Sequence, residues 1–202
     1  MTMKKGLLIV VSGPSGSGKG TVRAELMKMD DFAFSVSATT RAPRPGERDG
    51  VDYHFISRED FEARIKDGDM LEYTSYNGNY YGTPLREALQ VIDAGRNLLL
   101  EIEVEGALNV KRQYPEAVLI MLLPPSFAVQ EQRLRGRATE TDDIIRGRLT
   151  RTYEEMACFS QYDYMVYNNT VDDCARDILG IINAEKWAVK RHPEVPEDYF
   201  KG

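Results

Sequence analysis

The chain has 202 residues, enough for one domain with a sizeable core. Hydrophobic residues make up 42% and charged residues 29%, an ordinary globular mix. A net charge of −6 argues against a general nucleic-acid or membrane-surface binder, while leaving room for a local cationic pocket. Cys158 and Cys174 form no CxxC pair and His54 and His192 stand alone, so no Cys/His group has metal-ligand spacing. Cysteine poverty fits a reducing compartment. The longest apolar runs, 7–11 and 118–123, are too short to span a bilayer, and the N-terminus lacks the longer apolar stretch of a signal peptide. The expectation is a cytoplasmic protein with no membrane and no nucleic-acid partner.

In chain order, residues 6–11 are a branched apolar run that predicts a buried strand. Residues 13–20 form a glycine-rich turn. Residues 21–29 predict a helix, with Val22, Leu26 and Met29 near helical spacing. Strand, glycine loop and helix open a parallel α/β domain. From residue 35 to 83 the chain turns polar and rich in Pro and Tyr. One clear helix stands there, over 57–67, capped by Ser57 and ended by Gly68. Residues 70–76 and 79–81 flank Asn77-Gly78, a two-residue hairpin signal. This stretch reads as a small, partly β insertion.

The α/β rhythm then resumes. Thr83-Pro84 starts a helix that Gly95 ends. Strands follow at 98–102 and 118–123, with a helix from 107 to 113 between them. Ser126 caps a helix running to about 137, and residues 139–143 form a polar break. A helix over 144–159 places Ile145, Leu149 and Met156 on one face. A strand at 164–167 and a helix over 171–189 complete the pattern. The Pro-rich, acidic tail from His192 is expected to be loosely held.

Gly13-Pro14-Ser15-Gly16-Ser17-Gly18-Lys19 has the spacing of a P-loop up to its lysine. Glycines let backbone N–H groups approach phosphate oxygens, the helix N-terminus behind adds partial positive charge, and Lys19 adds a full one. The motif usually continues with Ser or Thr as a magnesium ligand. Here Gly20 takes that position and Thr21 follows, so phosphates and water would have to hold Mg2+. Lys19-Gly20-Thr21 resembles adenylate kinases at this point, so the loop marks an ATP site without naming the acceptor.

A second segment addresses the acceptor. Arg41 and Arg44 lie three apart on a proline-stiffened strip, where two guanidinium forks can clamp a phosphate dianion and Tyr53 can add a hydrogen bond. Taken alone, the strip reads more readily as a solvated loop with two surface arginines. With its neighbours, it resembles the guanylate kinase signature SxTTRxPRxGE…Y at Ser37, Thr39, Thr40, Arg41, Pro43, Arg44, Gly46, Glu47 and Tyr53. Gly78-Asn79-Tyr80-Tyr81-Gly82-Thr83 resembles the second signature of that family, GNYYGT. The resemblance covers about residues 7–169.

The resemblance implies a P-loop three-layer fold: a parallel core sheet (1–36 and 84–202), a mixed β/α GMP-binding insertion (about 37–83) and a short lid (about 137–148). It also implies ATP and GMP as substrates and Mg2+ as cofactor. Arg41, Arg44, Tyr53 and Tyr81 would hold the GMP phosphate. Ser37, Glu72 and Thr83 would face the guanine. Arg133-Leu134-Arg135-Gly136-Arg137 followed by Thr139-Glu140-Thr141 resembles the lid, which makes Arg133, Arg137 and Arg148 the phosphate-facing catalytic arginines beside Lys19. Asn168 would contact the adenine or ribose side.

Period-2 alternation puts Glu101 and Glu103 on one face at a strand's carboxyl end, where open parallel sheets carry their ligands. The family usually has LDIDxQG here. This chain has Glu101 and Glu103 for the two Asp and Glu105 for the Gln. Glu101 would support the magnesium shell through water, and Glu103 would reach the GMP base or ribose. Two other readings stay open at this level. One is a catalytically silent guanylate-kinase-like binding module, which the intact loop and lid arginines disfavour. The other is a related ribose-phosphate kinase, which would not need Ser37, Glu72 and Thr83.

Overall fold

A computed structural model describes residues 5–76, 78–136 and 141–200. The chain begins with β1 (Leu8–Ser12), α1 (Lys19–Met29) and β2 (Ala33–Phe34). It then passes through β3 (Ala38–Thr39), β4 (His54–Phe55), α2 (Arg58–Lys66), β5 (Met70–Tyr76) and β6 (Asn79–Pro84). The remainder alternates: α3 (Leu85–Asp93), β7 (Leu98–Glu101), α4 (Val104–Gln113), β8 (Val118–Leu123), α5 (Phe127–Arg135), α6 (Asp142–Ala157), β9 (Tyr164–Tyr167), α7 (Val171–Lys186) and the short α8 (Val195–Tyr199).

Five strands form a parallel sheet in the order β2-β7-β1-β8-β9. The side-chain period of a strand sorts its residues between two cores. Ile9, Val11, Leu99, Ile120 and Leu122 face one side and pack with Val22 and Leu26 of α1 and Ile178 and Ile182 of α7. Leu8, Val10, Leu98, Leu100 and Leu119 face the other and meet Ala88 and Ile92 of α3 and Ala107 and Val110 of α4. Each such branched or leucine side chain contributes roughly 1.5–3 kcal/mol when fully buried. The sheet is therefore a rigid base, and its carboxyl edge is where β1 and β7 end.

The insertion has its own four-stranded sheet, β4-β3-β6-β5, packed by Ala38, Phe61 and Met70. Ser57 caps α2, accepting from the Asp60 N–H, as its sequence predicts. The β5–β6 ladder carries a register shift between Met70 and Glu72. This bulge lets Leu71 enter the main core while Glu72 pairs directly with Thr83.

Several expectations are corrected. α1 starts at Lys19 rather than at 21, because Gly18 supplies a left-handed N-cap. Met29 does not join the buried stripe; it is 41% exposed beyond the last turn that meets the sheet. β7 stops at Glu101, and Glu103 is the N-cap of α4, so the two glutamates do not share a strand. Their common location comes from the chain bending into a helix instead of from alternation. On α6, Ile145, Leu149, Thr152 and Glu155 are buried, while Met156 is exposed. The first tail residue is tied back, with His192 Nε2 2.7 Å from the Lys186 carbonyl, just after Arg191 bonds Glu185 at 2.7 Å and the Glu116 carbonyl at 3.0 Å. Among the described residues no helix is long and apolar enough to cross a membrane.

Candidate active site

The phosphate loop joins β1 to α1 at the carboxyl edge of the sheet. Gly18 has φ +92°, and a Cβ there would lie 2.3 Å from the Asn168 amide nitrogen. Only glycine fits both demands. Asn168 uses that nitrogen to donate to the Ser17 carbonyl at 2.8 Å. Arg133 donates to the same carbonyl at 3.4 Å and to the Asn168 carbonyl at 2.9 Å. Arg133 and Asn168 thus lie behind the loop and brace it. Lys19 donates to the Gly13 carbonyl at 2.6 Å, and its ammonium sits 3.7 Å from Glu103. The first turn of α1 carries no acidic side chain of its own, which leaves its partial positive charge uncompensated from within the helix. The Ser17 hydroxyl is buried with no partner among the described residues.

Glu72 dominates the opposite end. It is 3% exposed and accepts from the Thr83 hydroxyl at 2.8 Å. Burial pushes its carboxyl up to about 7 from an ordinary value of 4.5, with Thr83 acting against the shift. Its second oxygen approaches Gly106 of α4 so closely that a Cβ there would lie 2.9 Å away. The β5–β6 bulge aims the carboxylate, and the missing side chain at 106 leaves room for it.

Arg41 makes a two-pronged ion pair with Glu47, both N–O distances 2.9 Å. This pairing holds the Glu47 carboxyl below its ordinary range. Glu47 also accepts from the Arg44 N–H at 2.7 Å, which fixes the backbone between the two arginines. The Arg41 guanidinium stands 5.5 Å from the Tyr53 ring centre, and the Tyr53 and Tyr81 rings are 6.0 Å apart. Arg44 itself is exposed. Glu47 belongs to the first signature, yet no role for it follows from the sequence. Its role here is to orient the strip.

One cleft of about 950 Å³ connects the two ends. Ser15, Lys19 and Arg148 line one end, and Ser37, Tyr53, Glu72 and Tyr81 the other, with Glu101 and Glu103 between them. Arg41, Arg44, Thr83, Arg133 and Asn168 stand behind or beside this wall, and Arg137 lies outside the described residues. The cleft also holds residues that the sequence did not single out, among them Arg23, Arg151 and Glu155. Arg23 sits one helical turn after Lys19, a spacing that could have flagged it, and bonds Glu101 at 3.3 Å. Burial raises the carboxyls of Glu101 and Glu155 above their ordinary range.

The described residues contain no group of three His, Cys, Asp or Glu side chains able to cage a metal. Glu101 extends toward Gly20, where a Cβ would be 3.6 Å from its carboxylate. Hard oxygen donors at the mouth of a phosphate loop suit a hydrated Mg2+ held chiefly by its nucleotide. The residues present therefore fit such an ion without enclosing it.

A parallel sheet with an anion-binding loop at its carboxyl edge, facing a polar insertion across one cleft, defines a P-loop protein that handles phosphoryl groups. The family model for guanylate kinase matches residues 5–185. A guanylate kinase of Streptococcus thermophilus is 52% identical over 93% of this chain and 91% of its own. One of Clostridioides difficile is 48% identical over 100% of this chain and 98% of its own. The crystal structure of guanylate kinase from Anaplasma phagocytophilum superposes with a TM-score of 0.78 at 31% identity, covering 98% of this chain and 95% of that one. The chain belongs to the guanylate kinase family.

Proposed function

We propose that this chain transfers the terminal phosphoryl group of ATP to GMP, giving ADP and GDP. The carrying observation is the single cleft with Lys19 at one end and the buried Glu72–Thr83 pair at the other. Guanine presents N1–H and N2–H2 donors side by side, and an ionised carboxylate accepts both. Adenine presents a bare N1 lone pair there, which would face Glu72 unpaired. Sites built on buried polar pairing discriminate by roughly 10⁴–10⁵. Ser37 and Thr83 complete the guanine wall, and Arg41, Arg44, Tyr53 and Tyr81 take the GMP phosphate.

ATP lies on residues 13–21 with its phosphates at the α1 N-terminus. The attacking atom is a GMP phosphate oxygen, ionised at neutral pH because its second pKa is about 6. No general base is needed. The obstacle is bringing two anions into line, and Lys19 with Arg137 and Arg148 offsets their repulsion, while Arg133 adds its charge from behind the loop that it braces. Asn168 acts through the loop backbone. Mg2+, with Glu101 accepting from its water shell, would neutralise charge on the ATP phosphates, and Glu103 lies between the two nucleotides. The free thiols of Cys158 and Cys174 support a reducing, cytoplasmic setting.

The test is ADP release with ATP and Mg2+ against GMP, dGMP, AMP, CMP and ribose phosphates in turn. Turnover dominated by GMP is expected. Turnover dominated by AMP or a ribose phosphate would overturn the reading, as would nucleotide binding with no turnover at all.

A further inference from the structure

Gln130 of α5 is 1% exposed beneath the phosphate loop. Its amide nitrogen donates to the Ser15 carbonyl and to the Thr152 hydroxyl, both at 2.8 Å. A carbonyl oxygen can only accept, so the nitrogen must face Ser15, and both its protons are used. Thr152 of α6 is 7% exposed, and its hydroxyl donates onward to the Arg148 carbonyl at 3.2 Å. Arg148 donates back to the Ser15 hydroxyl at 2.8 Å. Ser15, Gln130, Thr152 and Arg148 close a ring that ties the crest of the loop to two helices.

The ring has a directional consequence. The Ser15–Gly16 peptide is trans, so its C=O and N–H point in opposite directions. Holding the Ser15 carbonyl against α5 turns the Gly16 N–H toward the hollow of the loop. Asn168 holds the Ser17 carbonyl in the same way two residues on. An apolar side chain of similar size would fill the space under Gly16 without the cost of burying an amide. What the amide adds is the orientation of the loop and of the helical turn that carries Arg148.

We infer that Gln130 is a positioning residue for phosphoryl transfer, which acts through Thr152 and Ser15 to hold the loop's N–H groups and Arg148 in one register toward the ATP phosphates. The inference rests on the seating of ATP proposed above. The test compares Gln130→Leu, Thr152→Val, Thr152→Ser and the double variant Gln130→Leu/Thr152→Val by steady-state kinetics. The KM for ATP should rise about tenfold in each of the first two, with the KM for GMP within twofold of the parent. Thr152→Ser keeps the hydroxyl and should keep the parental KM. The double variant should be no worse than the worse single, since one ring is already open. Should Gln130→Leu not fold, the contrast between Thr152→Val and Thr152→Ser carries the same test. An unchanged ATP KM in Thr152→Val, a parallel rise in GMP KM, or additive losses in the double variant would overturn the inference. A parent protein without GMP-dependent ADP release would instead overturn the proposed function.

Discussion

Glu72 concentrates the chemistry of the acceptor end in one side chain. Its carboxyl titrates at about 7 in the folded, ligand-free protein against an ordinary 4.5, chiefly through burial. The folded state therefore binds the proton more tightly. The stability from that proton is fully present below about 4.5 and is lost as pH rises through about 7. The full effect is on the order of 3 kcal/mol, since each tenfold gain in proton affinity is worth about 1.4 kcal/mol. Glu72→Gln removes this titration while keeping an acceptor for Thr83. Thermal melts of the ligand-free proteins should show the variant gaining several degrees on its parent between pH 5 and pH 8. A constant difference across that range would mean that the carboxyl is not held in a desolvated site.

Glu72 was legible only through the family resemblance, since it lies outside both signatures and falls where guanylate kinases carry a base-reading glutamate. The hydrogen-bonded ring through Gln130 was not. Gln130 and Thr152 are 22 positions apart and each reads as an ordinary helical polar residue. Only the packing of α5 on α6 under the loop brings them together.

At the scale of elements, the site depends on how α4 meets β5. The chain turns from β7 into α4 at Glu103, and Gly106 falls in the first helical turn, against the Glu72 carboxylate. Alanine is the better helix former by up to about 1 kcal/mol. The Cβ in Gly106→Ala would nevertheless stand 2.9 Å from a carboxylate oxygen, which must move away. Stability and recognition should part company. The variant should melt no lower than its parent, while its GMP KM rises roughly tenfold and its ATP KM stays within twofold. Equal changes in both KM values would remove Gly106 from the guanine wall.

The long elements were readable from their periodicity. β8 and β9 fall where the apolar runs predict, and α2 begins at its Ser57 cap. β2, β3 and β4 were not, since two residues carry no alternation. The bulge at Leu71 was also hidden. A hairpin signal fixes the turn, but the slip in register far from it answers to Leu71 being drawn into the core.

For the whole molecule, the arrangement works because one rigid sheet edge presents the loop and one insertion presents the guanine wall across the same space. Positive charge from Lys19, Arg23, Arg148 and Arg151 lines the cleft alongside its carboxylates in a protein of net charge −6. The cationic ground is local, and it is where the facing phosphates of two polyanions would meet. Two nucleotides lying end to end predict that a dinucleoside polyphosphate, adenosine and guanosine joined by five phosphates, spans the cleft as one ligand. Steady-state inhibition by that compound is the most direct measurement of the arrangement. It should be competitive against ATP and also competitive against GMP, with one molecule bound per chain. Competition against one nucleotide and not the other would contradict a common cleft.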